Sequence, residues 1–256
     1  MTVDQKEKPK GERIAKLLAR AGVASRREVE RMIEAGRITL NGEPVTTPAT
    51  LILDTRGVRV DGKPVRRAEP ARLWRYHKAR GVVTTSRDER GRETLFDRLP
   101  PGLPRVVTVG RLDLNSEGLI LLTNDGALAR AMELPSTGWL RKYRVRVHGA
   151  VDEAALEKLA HGAIVDGIAY GPITAKLERR QGANAWLTMG LREGKNREIR
   201  KVLASLGLKV NRLIRTSYGD FDLGKLPPGA AAEVAAATVE KLNRRLAAPT
   251  PRRRRG

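Results

Sequence analysis

An unbroken apolar run, GLILLT at residues 118–123, is the sequence feature that most constrains the fold of this chain. A strand with one face in water alternates apolar and polar residues, whereas a short continuous run is typical of a strand buried on both faces. Asn124, Asp125 and Gly126 follow the run and can cap a helix predicted over residues 127–132. The sequence therefore predicts a core strand followed directly by a helix.

A polar loop, GRLDLNS at residues 110–116, leads into this strand and places Asp113 two residues from Arg111. Rigid elements that hold a polar loop are well suited to placing one reactive side chain. Asp113 is therefore a candidate functional carboxylate. On the residues alone, an equally good interpretation is that Asp113 pairs with Arg111 and only fixes the loop, since structural ion pairs are common.

The charge of the chain points to a polyanionic partner. The 256 residues include 50 Lys and Arg against 29 Asp and Glu, which gives a formal net charge of +21. Such a field attracts nucleic acids. Aromatic residues make up only 4% of the chain, which argues against a surface built from many base-stacking platforms. A general polyanion binder driven by charge alone is one alternative.

Several other classes of site are not indicated. The chain has no cysteine, which excludes disulfides and thiolate metal sites, and its three histidines are scattered. It lacks the motifs that cradle phosphates, bind dinucleotides or hold catalytic zinc, so we expect neither a cofactor nor a metal. It also lacks a long apolar span, so we expect no membrane insertion and no secretion. A cytoplasmic monomer is the expectation that remains.

The chain is expected to divide into four segments. Residues 1–10 and 248–256 are charged and lack periodicity, which predicts disordered tails. Residues 11–68 predict a small module of two helices followed by hairpins. A basic linker with two prolines, residues 63–71, then leads to a second domain over residues 72–247.

Both helices and strands are predicted in the second domain, which makes the fold class α+β. The expected strands cover residues 73–77, 82–85, 106–109, 118–123, 139–147, 171–178, 185–191 and 210–216. The expected helices cover residues 127–132, 151–161, 196–206, with Asn196 as the cap, and 231–246.

The string GRLDLNSEGLILLTNDG, residues 110–126, resembles the catalytic motif of the RsuA/RluB/RluE/RluF family of ribosomal RNA pseudouridine synthases. The resemblance implies that Asp113 is the essential catalytic residue. It also implies a catalytic domain with a mixed, mainly antiparallel sheet flanked by helices. The stretch YHKARGVVTTSRDERGRETLFDRLP, residues 76–100, resembles the first block of the family, with Ala79 where proline is usual.

Two further strings resemble blocks of the same family. RKY at residues 141–143 stands where Lys-x-Tyr is usual, which implies that Tyr143 packs on the target base. On general grounds, a core tyrosine with a satisfied hydroxyl is the more common case. EGKNREIR at residues 193–200 resembles a block with a basic residue that pairs with the catalytic acid, which makes Arg200 the implied partner of Asp113.

The first module resembles the RNA-binding module first known from ribosomal protein S-four over RIAKLLARAGVASRREVERMIEAGRITLNG, residues 13–42. Such a module would contact phosphates and position the protein without reading sequence. A merely solvated basic face is the alternative. The residues expected to contact RNA are Arg26, Arg27, Arg31 and Arg37 in this module, and Arg111, Arg141, Lys142, Lys195 and Arg197 in the second domain.

Together these resemblances imply the conversion of uridine to pseudouridine in ribosomal RNA. The RluB type, which acts on large-subunit ribosomal RNA, is the nearest match, and the RNA-binding module argues against the RluE branch, which lacks one. The target nucleotide would have to leave the RNA stack, at a cost of roughly a few kcal/mol. A non-catalytic RNA-binding or ribosome-assembly factor with the same two domains is the main alternative.

Overall fold

The computed structural model describes residues 11–86 and 88–247. The tails expected at residues 1–10 and 248–256 lie outside the described residues. The chain separates into two compact units, and the boundary between them falls between Ala71 and Arg72. Among the described residues, the helices are too short or too polar to cross a membrane.

The first unit has two helices packed on short strands. Its helices are α1 (Ile14–Arg20) and α2 (Arg26–Glu34), and its strands are β1 (Glu12–Arg13), β2 (Ile38–Leu40), β3 (Glu43–Pro44), β4 (Leu51–Ile52), β5 (Val58–Val60) and β6 (Lys63–Pro64). Ser25 caps α2 as predicted, because its hydroxyl accepts the N–H of Glu28 at 3.1 Å. The apolar sides of both helices form one core with Ile38 and Val58.

The described residues of the second unit form a nine-stranded sheet, one separate two-stranded sheet and helices. Its strands are β7 (Leu73–Lys78), β8 (Val107–Val109), β9 (Glu117–Thr123), β10 (Arg141–His148), β11 (Ala163–Val165), β12 (Ile168–Tyr170), β13 (Ile173–Gln181), β14 (Asn184–Leu191), β15 (Lys209–Tyr218), β16 (Phe221–Asp222) and β17 (Ala231–Glu233). Its helices are α3 (Gly126–Glu133), α4 (Glu153–Lys158), α5 (Glu198–Ser205) and α6 (Ala236–Ala247).

The strand order of the main sheet is β13-β14-β10-β15-β9-β7-β17, with β16 on β15 and β8 on β9. Neighbouring strands are antiparallel except β9 and β15, which are parallel. The sheet is therefore mixed and mainly antiparallel, and the predicted α+β fold is confirmed. The run at residues 118–123 is buried throughout β9, and Asp125 caps α3 as the sequence predicted.

Three predicted elements of the second unit are wrong. Residues 82–85 are not a strand, since only Val83 forms an isolated bridge, to Thr94. The predicted helix 231–246 begins as strand β17, because its first residues pair with β7 at the sheet edge and this pairing overrides the helix propensity of alanine. The cap predicted at Asn196 is one residue early: Arg197 precedes α5.

Candidate active site

The loop before β9 has each backbone carbonyl from residue 112 to residue 116 hydrogen bonded. The donors are Thr84 Oγ1 to Leu112 O (2.8 Å), Lys78 Nζ to Asp113 O (3.1 Å) and Ser116 O (2.9 Å), Gly81 N to Leu114 O (2.9 Å), and Arg200 Nη2 to Asn115 O (2.9 Å). These bonds join the loop to the segment that follows β7 and to α5. The backbone that presents Asp113 is therefore held in one geometry, as a reactive group requires.

Lys78, the last residue of β7, is fully buried and supplies the central part of this network. Its ammonium donates to Asp113 O and Ser116 O and, at 3.1 Å, to Ala79 O. Burial lowers the pKa of Lys78 to about 8, although the charges of Asp113 and Glu117 act to raise it. A buried cation therefore holds the loop by its backbone.

Gly118 lets the loop enter the sheet. The parallel pairing of β9 and β15 places Gly118 opposite Arg215. Gly118 has a φ of +104°, and a Cβ atom there would lie 2.3 Å from the carbonyl oxygen of Arg215. Glycine is required at this position because a residue with a Cβ atom fits neither the backbone conformation nor the close approach to Arg215.

The side chain of Asp113 is one-third exposed, and its Oδ2 lies 3.8 Å from Nη1 of Arg197. The prediction that Asp113 pairs with Arg200 is wrong, because the ion-pair partner of Asp113 is Arg197. Arg197 stands just before α5 with a left-handed φ of 53°, which directs its side chain to Asp113. Arg200 lies one helical turn further on, and its guanidinium donates to the carbonyls of Asn115 and Val210 instead.

Positive charge surrounds the carboxylate of Asp113. Burial lowers the pKa of Arg200, and the neighbouring charges of Arg197 and Arg80 lower it further, while Asp113 acts to raise it. Together with Lys78, these arginines form a cationic region around one partly exposed carboxylate. Such a region attracts the phosphates of a nucleic acid and leaves Asp113 accessible to a reacting group.

Tyr143 lies on β10, two strands from the start of β9. Tyr143 is opposite Arg215 of β15, and Arg215 is in turn opposite Gly118, so two strand spacings, about 10 Å, separate Tyr143 from Gly118. The ring belongs to the same apolar cluster as Leu112, next to Asp113 in sequence. The hydroxyl of Tyr143 has no hydrogen-bond partner among the described residues, unlike that of an ordinary core tyrosine.

The residues predicted to contact RNA fall into two groups. The side chains of the first group contact other protein groups. Arg197 contacts Asp113, Arg31 contacts Glu28, and Arg37 contacts Asp61. Arg141 donates to the carbonyl of Arg192 and the hydroxyl of Tyr218, and Lys195 contacts Glu193 and the carbonyl of Ala169. Arg26, Arg27, Arg111 and Lys142 are exposed, and their side chains make no hydrogen bond or ion pair with another described residue. This second group is available to phosphates.

Sequence reasoning missed Lys78 and Thr84, which hold the loop, and Glu198, which is buried at the start of α5. The available signal for Lys78 was its place in the string that resembles the first block of the family. Thr84 lies in the same string and Glu198 lies in EGKNREIR, but such a string does not show which side chain holds the loop. The partner of Thr84 is 28 residues away, and the partner of Glu198 depends on a turn. In the described part of the chain, no group of acidic or histidine side chains could hold a metal ion.

Comparison with known families identifies the family of each unit. Residues 72–205 match the model of the RNA pseudouridylate synthase family, and residues 12–55 match that of the S4 domain. The chain belongs to the RNA pseudouridylate synthase family, and the predicted family resemblance is confirmed. It is therefore an enzyme that isomerises uridine in RNA.

Individual relatives extend over most of the chain. An uncharacterised RNA pseudouridine synthase of Rickettsia bellii is 48% identical over 223 residues, covering 87% of this chain and 96% of the relative. The ribosomal large subunit pseudouridine synthase B of Salmonella typhi is 42% identical over 231 residues, covering 87% of this chain and 79% of the relative. A crystal structure of a pseudouridylate synthase is 25% identical, with a TM-score of 0.62 over 90% of this chain and 99% of that one.

Proposed function

We propose that residues 72–247 isomerise a uridine of large-subunit ribosomal RNA, that Asp113 is the catalytic carboxylate, and that residues 11–68 hold the RNA. The observation that carries the proposal is the partly exposed carboxylate of Asp113 on a loop whose carbonyls from residue 112 to residue 116 are each hydrogen bonded. The name of the Salmonella relative supports the large-subunit target. A protein that only binds RNA has no need of such a loop.

The reaction needs no external redox partner. The bond from ribose to a ring nitrogen of uracil breaks, and a bond from ribose to a ring carbon forms. The ring carbon loses a proton and the ring nitrogen gains one, so atoms and charge balance. Asp113 supplies the covalent or proton-transfer step, and Arg197 lies 3.8 Å from its Oδ2.

Access to the base requires that the nucleotide leave the stack, which costs roughly a few kcal/mol. The ring of Tyr143 offers an apolar face on which the extruded uracil can pack. The unpaired cations Arg26, Arg27, Arg111 and Lys142 offset the cost through phosphate contacts. Arg200 takes the role of a positioning residue, since it binds the backbone of the Asp113 loop.

The catalytic assignment is tested with Asp113→Asn and a transcribed fragment of large-subunit ribosomal RNA. The amide keeps the shape of the side chain, so we expect RNA affinity within about twofold of wild type. Chemical mapping should detect no pseudouridine. Asp222→Asn, which changes an exposed carboxylate on β16, is the control and should retain activity. Full activity of Asp113→Asn would disprove the assignment.

The target is tested separately by mapping pseudouridine in ribosomal RNA from cells with and without this protein. Loss of modification at a uridine of the large-subunit RNA supports the proposal, and loss confined to the small-subunit RNA contradicts it. We also propose that the enzyme acts as a cytoplasmic monomer. The absence of cysteine fits a reducing compartment, and sedimentation of the purified protein tests the oligomeric state.

A further inference from the structure

A buried carboxyl lies at the base of the loop that carries Arg197. Glu198, the first residue of α5, is only 3% exposed. Its Oε2 accepts the N–H of Lys195 at 3.0 Å, which closes the turn before the helix. Its Oε1 is buried and receives no N–H or O–H donor from the described residues. A charged carboxylate in this position would be costly, because one of its oxygens lacks a donor.

Glu193 is the neighbouring carboxyl, close enough for its charge to raise the pKa of Glu198. Two carboxyl groups hydrogen bond to each other only through a proton, and the Glu198 oxygen that lacks a donor is the one free to carry it. Glu193 already accepts the N–H of Gly171 and the ammonium of Lys195, the latter at 3.0 Å. The charged member of the pair is therefore Glu193, and the proton belongs to Glu198.

The loop between Glu193 and Glu198 positions Arg197 beside Asp113. Residues 194–197 end at Arg197, whose left-handed φ of 53° places Nη1 at 3.8 Å from Asp113 Oδ2. We propose that Glu198 is a positioning residue of the isomerisation: it carries a proton, donates it to Glu193, and this carboxyl pair fixes the loop that holds Arg197 against Asp113. The inference rests on the proposed role of Asp113.

The charged groups around the pair give the direction of its titration. Within the loop, burial raises the pKa of Glu198 to about 7, the N–H of Lys195 acts to lower it, and the charge of Glu193 raises it. Burial would raise the pKa of Glu193, but the N–H of Gly171 and the ammonium of Lys195 bring it below its ordinary value. On the side of β12, the ring of Tyr170 lies 5.6 Å from the ammonium of Lys195. Above about pH 7, Glu198 should therefore lose its proton, and two adjacent carboxylates should repel each other.

The test compares Glu198→Gln with Glu198→Leu. Glutamine copies the protonated acid, since its N–H can donate to Glu193 and its carbonyl can accept from Lys195, whereas leucine can do neither. We expect Glu198→Gln to match the wild-type kcat at pH 6 within about twofold, and Glu198→Leu to lose roughly tenfold in kcat with unchanged RNA affinity. Glu157→Gln, an exposed carboxyl on α4, is the matched control and should behave as wild type.

A pH series is the decisive measurement. Between pH 6 and 8.5, the ratio of kcat for Glu198→Gln to kcat for wild type should rise up to roughly tenfold, because only the wild type loses the bridging proton. A ratio that stays constant overturns the proposal, as does a Glu198→Gln variant impaired as strongly as Glu198→Leu. If Glu198→Leu fails to fold, the pH dependence of the kcat ratio between Glu198→Gln and wild type still tests the proposal. Activity of Asp113→Asn would overturn the proposed function instead, so the two failures are distinguishable.

Discussion

Replacing Lys78 with methionine tests whether the loop that carries Asp113 can lose its fixed geometry while the domain stays folded. Lys78 is fully buried, and its pKa of about 8, against 10.5 for an ordinary lysine, corresponds to roughly 3 kcal/mol for holding the charge at neutral pH. Lys78→Met removes that cost. It also removes the donor to Ala79 O and Ser116 O, while Asp113 O keeps the N–H of Ser116.

The two effects oppose each other. Two carbonyls without donors cost about 1–3 kcal/mol each, or roughly 2–6 kcal/mol together, and relief of the buried charge offsets roughly 3 kcal/mol of that. The net change in unfolding free energy therefore lies between a gain of roughly 1 kcal/mol and a loss of roughly 3 kcal/mol, and the loss lowers Tm by about 10 °C at most. The loop, however, loses its central attachment, and a displacement of about 1 Å at a reacting group can cost roughly a hundredfold in kcat.

The assays are thermal unfolding, RNA binding and single-turnover pseudouridine formation, with Lys158→Met on the exposed side of α4 as the control. We expect Lys78→Met to stay folded, to bind RNA and to lose most of its kcat. Activity above half the wild-type value would refute the reasoning. So would a loss of activity that only follows the unfolded fraction.

The same residue predicts a pH effect. Because burial lowers the pKa of Lys78 to about 8, the folded state releases this proton more readily than the unfolded state does. The contribution of Lys78 to stability therefore rises between about pH 8 and the unfolded value near 10.5. The neutral amine has one N–H fewer for the loop, so wild-type kcat should fall above about pH 8. The Lys78→Met profile should lack that step.

Three further changes test other parts of the site. Gly118→Ala should lower the unfolding free energy by roughly 3 kcal/mol or more in urea titrations, because its Cβ would lie 2.3 Å from a carbonyl oxygen of β15. Gly110→Ala, with a φ of +70° and open space around the Cβ, is the control and should cost only about 1 kcal/mol. Arg197→Gln should leave Tm unchanged, since its ion pair is half-exposed, and should lower kcat roughly tenfold; unchanged kcat would contradict the pairing with Asp113. The double change of Arg26 and Arg27 to glutamine should reduce the salt dependence of RNA binding by up to roughly two ion equivalents without altering kcat at saturating RNA, and an unchanged slope would remove both residues from the interface.

The sequence by itself determined the features whose cause is local. The continuous apolar run at residues 118–123 predicted the buried strand β9, and Asp125 predicted the start of α3. Ser25 predicted the start of α2 in the same way. In each case the period of the apolar residues or one capping side chain decides the outcome within a few residues, so no distant partner is needed.

Only the tertiary structure decided that residues 231–233 form a strand and which groups surround Asp113. The segment 231–233 became a strand because an edge of the sheet was open to it, which no local propensity shows. Arg197 rather than Arg200 faces Asp113 because a left-handed residue precedes α5. Lys78 reaches the loop from another strand, 35 residues away from Asp113 in sequence. Such contacts depend on how strands pair across the sheet, and the order of strands is a property of the whole domain.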